Sequence, residues 1–303
     1  MQPITQAYVK EHLPIRARHA HKGNFGRVLV VAGSRRMCGA GFLCAKSALT
    51  AGAGLVYWAL PASMQPVFAA ALPEAITIPL PENEQGELDA NSWELFPEIC
   101  ETYKPSLLVV GPGMGNSPLL PLILQNTSLP LLVDADALNA LAHITAWHTQ
   151  WPVERPAIFT PHGMEMSRLL GEPVAVDNQA RQQQVTTLAQ LSRGVCLLKG
   201  MPTLVAAQTP EKLYILENTT GTPALAKAGS GDVLSGVIAG LWAQLGTAEG
   251  FSLRSALHAT ACAVYLHGLA GELAAQAKSP YSVLASDTLA QLPRAFIQVQ
   301  EGA

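Results

Sequence analysis

Apolar and polar residues fall into alternating blocks along the chain. Short runs rich in Val, Leu and Ile end in turns that contain Gly or Pro, and longer stretches rich in Ala and Leu follow. The clearest run, residues 27–32 (RVLVVA), predicts a buried strand. The same pattern predicts further strands at 55–59, 75–79, 107–110, 131–133, 157–160, 195–199, 203–206 and 213–216. It predicts helices at 41–52, 66–71, 117–125, 137–142, 163–170, 178–191, 232–245 and 252–277.

Strands that alternate with helices predict a single α/β domain with a mostly parallel central sheet and helices on both faces. Several strands are apolar throughout, as expected where a sheet is covered on both sides. Such sheets bind ligands in the loops just beyond the carboxyl ends of their strands. Six loops of unusual composition fall there, and we expect them to form one site: 33–41, 111–116, 134–139, 161–165, 199–203 and 229–232.

Composition narrows the class of protein. Of 303 residues, 49% are hydrophobic and 14% charged, which excludes a disordered chain, and a net charge of −3 argues against a nucleic-acid or membrane-surface binder. The five cysteines are scattered without a C-x-x-C pair, so we expect reduced thiols and a cytoplasmic location. Residues 1–11 contain no apolar core of a signal peptide, and the apolar stretch 233–245 is too short to span a bilayer.

The turn Gly229–Asp232 carries the most specific chemistry. Gly229 and Gly231 flank Ser230, and an apolar helix is predicted to follow at once, so backbone N–H groups and the positive helix end would form a cradle for phosphate. A carboxylate at Asp232 beside such an anion indicates a group that handles a proton or a metal. A plain helix N-cap by Ser230 or Asp232 explains the turn about equally well from the sequence alone.

Other strand-end loops offer ionisable groups. Asp134 and Asp136 are candidates for a divalent cation, although either would also serve as a helix cap. His162 and Glu165 lie in another loop, where His162 would reach a phosphate or amide and Glu165 is a third metal candidate. Lys199 ends a predicted strand, where an ammonium would meet a phosphate.

Several other site types have no support. The sequence contains no G-x-x-x-x-G-K-[ST] phosphate loop and no G-x-S-x-G elbow, and residues 39–44 only approximate a dinucleotide fingerprint. His258 and His267 lie nine residues apart on an Ala-rich helix, and we expect them on one face as core or interface residues.

Taken in order, the loop motifs resemble those of ADP-dependent NAD(P)H-hydrate dehydratases of the ribokinase-like superfamily. The segments are KGNFG before RVLVVAGS (22–34), GPGMG (111–115), DADALN (134–139), TPHGME (160–165), LKG (198–200) and AGSGD (228–232). The resemblance covers residues 22–294 approximately, so we expect an N-terminal extension at 1–21 and a ribokinase-like domain at 22–303. The chain departs from the family pattern at Met164, Thr222 and Ser230.

The resemblance implies a lyase that repairs hydrated NADH or NADPH, with ADP as co-substrate and Mg²⁺ on the phosphates. Asp232 would deprotonate the hydrate hydroxyl, and the amides of Gly229, Ser230 and Gly231 would stabilise the transferring phosphoryl group. By the same carry-over, the hydrate site would consist of Ala40, Gly113, His162 and Asp232. The adenine-nucleotide site would consist of Lys199, Gly200, Met201, Pro202, Thr203 and Gly231.

Some alternatives stay open at this point. A kinase of the same superfamily that phosphorylates a small alcohol, such as a vitamin precursor, would share the Gly-Asp turn. ADP and ATP, and NADH and NADPH hydrate, are not distinguished by these motifs. The epimerase domain often fused ahead of such proteins does not fit within residues 1–21, so we expect a separate epimerase, and the Ala-rich helices make a homo-oligomer plausible.

Overall fold

The computed structural model describes residues 1–152 and 154–302. Within these residues, ten strands form one sheet. In chain order the strands are β1 Gln2–Pro3, β2 Arg27–Val31, β3 Leu55–Pro61, β4 Ile76–Leu80, β5 Leu107–Val110, β6 Leu131–Val133, β7 Ala157–Phe159, β8 Val195–Leu198, β9 Thr203–Gln208 and β10 Leu213–Asn218.

Helices connect most of the strands. They are α1 Gln6–His12, α2 Cys38–Thr50, α3 Gln65–Ala71, α4 Phe96–Tyr103, α5 Leu119–Asn126, α6 Asp136–Ala142, α7 Trp147–Gln150, α8 Gly163–Leu170, α9 Asn178–Ser192, α10 Ser230–Glu249, α11 Leu253–Ala277 and α12 Ala285–Glu301. Short 3₁₀ segments lie at Lys22–Phe25, Ala62–Met64, Ala90–Leu95 and Pro223–Leu225. In this part of the chain, none of the helices is both long and apolar enough to cross a membrane.

The sheet has the order β1-β10-β9-β8-β7-β6-β5-β2-β3-β4. β9 runs antiparallel to β8 and β10, and the other neighbouring strands pair in parallel. The chain proceeds from β2 toward β4 on one side and from β5 toward β8 on the other, so the direction of winding changes between β2 and β5. Ligands of doubly wound sheets bind beyond the carboxyl ends at such a point.

Each face of the sheet has its own hydrophobic core, which confirms the prediction of helices on both faces. Val28 and Val30 of β2 pack in a core with Trp242 of α10, whereas Leu29 and Val31 pack in the opposite core. All four β2 side chains are fully buried. The run is therefore apolar throughout because successive side chains of one strand enter two different cores.

Residues 1–21 contribute elements to this domain. Strand β1 pairs in parallel with β10, with Gln2 opposite Leu216, and the Val9 side chain of α1 is fully buried in the core on the α10 face. The sequence pattern did not predict β1, α1, α4, α7 or α12. α4 and α12 each contain a proline, a residue that indicates a turn or a helix end in a sequence, although the buried residues of α12 recur at helical spacing.

Candidate active site

The turn at Gly229 begins α10, a long helix that is buried over most of its length. Helix α10 starts at Ser230, two residues earlier than predicted, with Gly229 as its N-cap at φ 89°. A Cβ atom at Gly229 would lie 2.7 Å from Leu43 Cδ1 and 2.9 Å from Ala285 Cβ. The positive φ and this close packing both require glycine, so the turn is fixed against α2 and α12.

The first turn of α10 presents free backbone donors. The Ser230 N–H donates to Lys227 O at 3.3 Å, whereas no backbone acceptor is found for the N–H groups of Gly231 and Asp232 within residues 1–152 and 154–302. These donors add to the partial positive charge of the helix N-terminus. The arrangement is a cradle for an anion such as a phosphoryl group.

Lys199, at the end of β8, supplies a full positive charge at this turn. A Cβ atom built on Gly231 would lie 3.3 Å from Lys199 Nζ. The ammonium also donates to Asp134 Oδ1 at 2.6 Å, and the Lys199 side chain is 21% exposed. Burial lowers the pKa of Lys199, but the charges of Asp134 and Glu165 outweigh burial and raise it above its ordinary value, so the side chain carries a charge at neutral pH.

Asp232 is suited to accept a proton. Burial, and then the negative charge of Asp134, raise the pKa of the Asp232 carboxyl to about 6, and the Lys199 ammonium only partly offsets them. A carboxylate with a pKa near the working pH is ionised at neutrality and still basic enough to act as a general base. Asp232 directly follows Gly231 in the chain, so its carboxyl and the free N–H of Gly231 belong to the same turn of α10.

A cavity of about 900 Å³ opens next to the turn, large enough for a nucleotide. Among its lining residues are most of the predicted nucleotide contacts, namely Lys199, Gly200, Met201, Thr203 and Gly231. Pro202 is not among them, and its carbonyl accepts a hydrogen bond from Arg181 Nη2 at 2.7 Å. Arg181 therefore ties the loop between β8 and β9 to α9.

The predicted hydrate contacts Ala40 and Gly113 meet at the change of winding between β2 and β5. Gly113 has φ 64°, and a Cβ atom there would lie 2.7 Å from Ala40 Cβ and 2.7 Å from Met37 O. The Gly33 N–H also donates to Pro112 O at 2.8 Å. Only glycine permits the 111–115 loop to lie this close to the start of α2, which explains the GPGMG spacing.

His162 lies at the rim of the cavity and caps helix α8. Its Nδ1 accepts from the N–H of Met164 at 3.1 Å and of Glu165 at 3.3 Å, and Glu165 Oε2 accepts from the His162 N–H at 2.8 Å. Because Nδ1 is an acceptor, Nε2 carries the proton of the neutral ring, and it lies 3.3 Å from Glu165 Oε1. The departure at Met164 leaves this capping box intact, since that side chain is 52% exposed.

The three carboxylates considered as metal ligands all have protein partners. Asp134 accepts from Lys199, Asp136 Oδ2 accepts from the Gly115 N–H at 2.7 Å, and Glu165 caps α8. Burial raises the pKa of both Asp136 and Glu165 above the ordinary range. Across residues 1–152 and 154–302, no three His, Cys, Asp or Glu side chains converge as a metal site. The protein side chains alone therefore do not form a magnesium cage.

Sequence reasoning missed two hydroxyl groups and misplaced one histidine. Thr160 and Ser235 both donate to Asp134, and Ser235 follows Asp232 by three residues, a spacing that indicates one helix face. His258 and His267 lie on opposite faces of α11, because nine residues span about two and a half turns. His258 Nδ1 lies 2.9 Å from Tyr8 Oη, whereas His267 lines the cavity with Nε2 3.4 Å from Ser230 Oγ.

Comparisons with known proteins identify the family of the chain. The profile described as NAD(P)H-hydrate dehydratase matches residues 28–294. A bifunctional NAD(P)H-hydrate repair enzyme from Moorella thermoacetica is 39% identical over 98% of this chain and 54% of its own length. The chain thus spans about half the length of the first curated relatives that it matches. An ADP-dependent (S)-NAD(P)H-hydrate dehydratase from Xanthomonas campestris is 32% identical over 100% of this chain and 98% of its own length.

Solved structures give the same result for the fold. An ADP/ATP-dependent NAD(P)H-hydrate dehydratase from Bacillus subtilis, co-crystallised with ATP and Mg²⁺, matches with a TM-score of 0.78 and 28% identity over 98% of both chains. A ribokinase-like superfamily protein from Enterococcus faecalis matches with a TM-score of 0.78 and 26% identity over 99% of this chain and 97% of its own. These matches confirm the predicted ribokinase-like fold. By profile and by a full-length relative, the chain belongs to the NAD(P)H-hydrate dehydratase family.

Proposed function

We propose that the protein catalyses the ADP-dependent dehydration of the S epimer of hydrated NADH or NADPH, with release of AMP and phosphate. One observation carries the proposal. The carboxyl of Asp232, whose pKa is raised to about 6, lies in the same helical turn as two N–H groups without a backbone acceptor, and Gly231 of that turn lines a cavity of nucleotide size together with Lys199. A base, an anion cradle and a cation are the groups that phosphoryl transfer to a hydroxyl requires.

In this proposal the reaction has two stages. Asp232 removes the proton of the hydrate hydroxyl. The hydroxyl oxygen attacks the β-phosphorus of ADP, and the bond from that phosphorus to the bridging oxygen breaks to release AMP. The N–H groups of Gly231 and Asp232 and the Lys199 ammonium stabilise the charge on the transferring phosphoryl oxygens. The phosphate then leaves with its C–O bonding electrons, and the neighbouring carbon loses a proton, so that the ring double bond is restored.

The remaining residues of the site bind the two substrates in this proposal. Ala40, Gly113 and His162 contact the hydrate. Gly200, Met201 and Thr203 line the cavity against the adenosine, and Pro202 shapes their loop. Gly229 and Ser230 act through the backbone geometry of the turn.

The proposal includes Mg²⁺ and three features of cellular context. Mg²⁺ enters with the ADP phosphates, since this ion is commonly held by substrate phosphates and water with few protein ligands. A separate NAD(P)H-hydrate epimerase supplies the S epimer, and the enzyme acts in the cytoplasm as a homo-oligomer. Neither nucleic acid nor a membrane is among the proposed partners.

A direct assay tests the function. Purified protein is mixed with NADH hydrate, ADP and Mg²⁺, and the absorbance of reduced nicotinamide is followed together with AMP and phosphate release. We expect equal amounts of the three products. Folded protein that binds ADP but forms no reduced nicotinamide would contradict the proposal. Stable phosphorylation of a small alcohol with no dehydration would indicate the kinase alternative.

A further inference from the structure

Asp134 forms a buried polar junction beneath the phosphoryl turn. Its side chain is 1% exposed. Oδ1 accepts from Lys199 Nζ at 2.6 Å and from Thr160 Oγ1 at 2.8 Å, and Oδ2 accepts from Ser235 Oγ at 2.6 Å. One carboxylate therefore joins the ends of β6, β7 and β8 to helix α10.

The Lys199 ammonium lies between this carboxylate and the turn. It is 2.6 Å from Asp134 Oδ1, and it lies 3.3 Å from a Cβ atom built on Gly231, closer than any other heavy atom outside that turn of helix. A lysine side chain has four flexible carbon–carbon links, and a partly buried one needs a fixed partner to stay in one position. Asp134 is that partner.

The backbone at this junction adopts a costly conformation. Ala135 has φ 50° and ψ −118°, a combination that costs about 1–3 kcal/mol outside glycine. The two flanking carboxylates point to different partners: Asp134 to Lys199, and Asp136 to the Gly115 N–H. The strained residue allows one short loop to direct both.

We propose that Asp134 is a positioning residue of the reaction, which holds the Lys199 ammonium against the phosphoryl group bound at the Gly229–Asp232 turn. The inference rests on the proposed function and assigns a role within the same site. A metal-ligand role is disfavoured, because an ammonium 2.6 Å away would repel a cation and the carboxylate already accepts three hydrogen bonds.

The test compares Asp134→Asn, Lys199→Gln and the double variant with the wild-type enzyme. Asp287→Asn is the matched control, because it breaks an aspartate–lysine pair of similar length, 2.8 Å, at the surface. Calorimetry gives the Kd for ADP, steady-state kinetics give kcat and the KM for NADH hydrate, and circular dichroism checks folding.

We expect Asp134→Asn to weaken ADP binding about tenfold and to lower kcat about 10²-fold, the scale of a lost transition-state contact. In Asp134→Asn, the KM for the hydrate stays within about threefold of the wild-type value. In the Asp287→Asn control, Kd, kcat and KM all stay within about twofold of wild type. If Asp134 acts through Lys199, adding Asp134→Asn to the Lys199→Gln variant changes little. We expect kcat of the double variant to be less than about threefold below that of Lys199→Gln alone. A further 10²-fold loss in that background, or a folded Asp134→Asn with unchanged kinetics, overturns the inference.

Asp134→Glu covers the case in which Asp134→Asn does not fold. It keeps the charge but moves it, so we expect a folded enzyme with kcat and ADP affinity each reduced at least about fivefold. Wild-type values in this variant would overturn the inference. Failure of the proposed function is seen separately, as a wild-type enzyme without turnover, while parallel losses of ADP affinity in Asp134→Asn and Lys199→Gln would still support the positioning role.

Discussion

Two aspartate–lysine pairs of nearly equal length occupy very different surroundings in this molecule. Lys199 and Asp134 are 2.6 Å apart, with side chains 21% and 1% exposed, at the end of the central sheet. Lys278 and Asp287 are 2.8 Å apart, with side chains 48% and 21% exposed, at the start of α12. The distance between ammonium and carboxylate alone therefore does not distinguish the two pairs. The Asp134 carboxylate has lost its water and depends on the contacts that replace it, whereas the surface pair remains hydrated.

The hydrogen-bond partners of the two carboxylates also differ between the buried pair and the surface pair. Asp134 accepts from two hydroxyl groups as well as the ammonium, and its charge raises the pKa of nearby Asp232. Asp287 accepts from the Leu284 N–H at 2.9 Å and so caps a helix. The buried pair shapes the chemistry of the site, and the surface pair closes the end of a helix.

The largest effect expected is on stability at the buried pair. Asp134→Asn removes the carboxylate that is hydrogen-bonded to the partly buried Lys199 ammonium and leaves it only the charges of Glu165 and Asp232, so we expect the free energy of unfolding to fall by about 3 kcal/mol. Urea denaturation measures it. Adding Lys199→Gln removes the unpaired charge and should recover part of the loss, whereas equal stability of the single and double variants would contradict the comparison.

The next largest effect is on catalysis. Asp232→Asn removes the proposed base but keeps the shape of the turn, so we expect turnover to fall by at least about 10²-fold. ADP affinity, measured by calorimetry, should stay within about threefold of wild type. Near-normal turnover would remove Asp232 from its proposed role.

The pH dependence of the reaction tests the charges around Asp232. A base acts when ionised, so kcat/KM of the wild-type enzyme should fall as the pH drops through about 6. The charge of Asp136 contributes to the raised pKa of Asp232, so the acid limb of Asp136→Asn should move to lower pH, by less than about one unit. A shift to higher pH would contradict the electrostatic account.

The smallest effect is expected at the surface pair. Asp287→Asn loses an exposed ion pair but keeps an oxygen able to cap α12, so we expect a loss of only about 0–1 kcal/mol in the free energy of unfolding. The difference from wild type should shrink in 1 M NaCl, because salt screens exposed charges. A loss as large as that of Asp134→Asn would remove the distinction between the two regions.

Much of the fold could be predicted from the sequence because local signals agree with it. The β2 and β5 runs are apolar throughout, and helices on both faces follow from that pattern. Prediction was weakest for α4 and α12, which bury only part of their length, and for α1, which buries only Val9. α1 lacks apolar periodicity, whereas the buried residues of α12 recur at helical spacing and were nevertheless missed.

The sequence by itself identified the residue types of the site and their places after the strands. The turns in the 111–115 loop and before α10 could be predicted from the local sequence, because only glycine readily adopts their backbone conformation. The tertiary structure alone decided which groups meet. Asp134 and Lys199 are 65 residues apart, and Asp134 and Ser235 are 101 apart. Their contacts, and hence the charge around Asp232, arise only when parallel strands bring distant loops to one edge of the sheet.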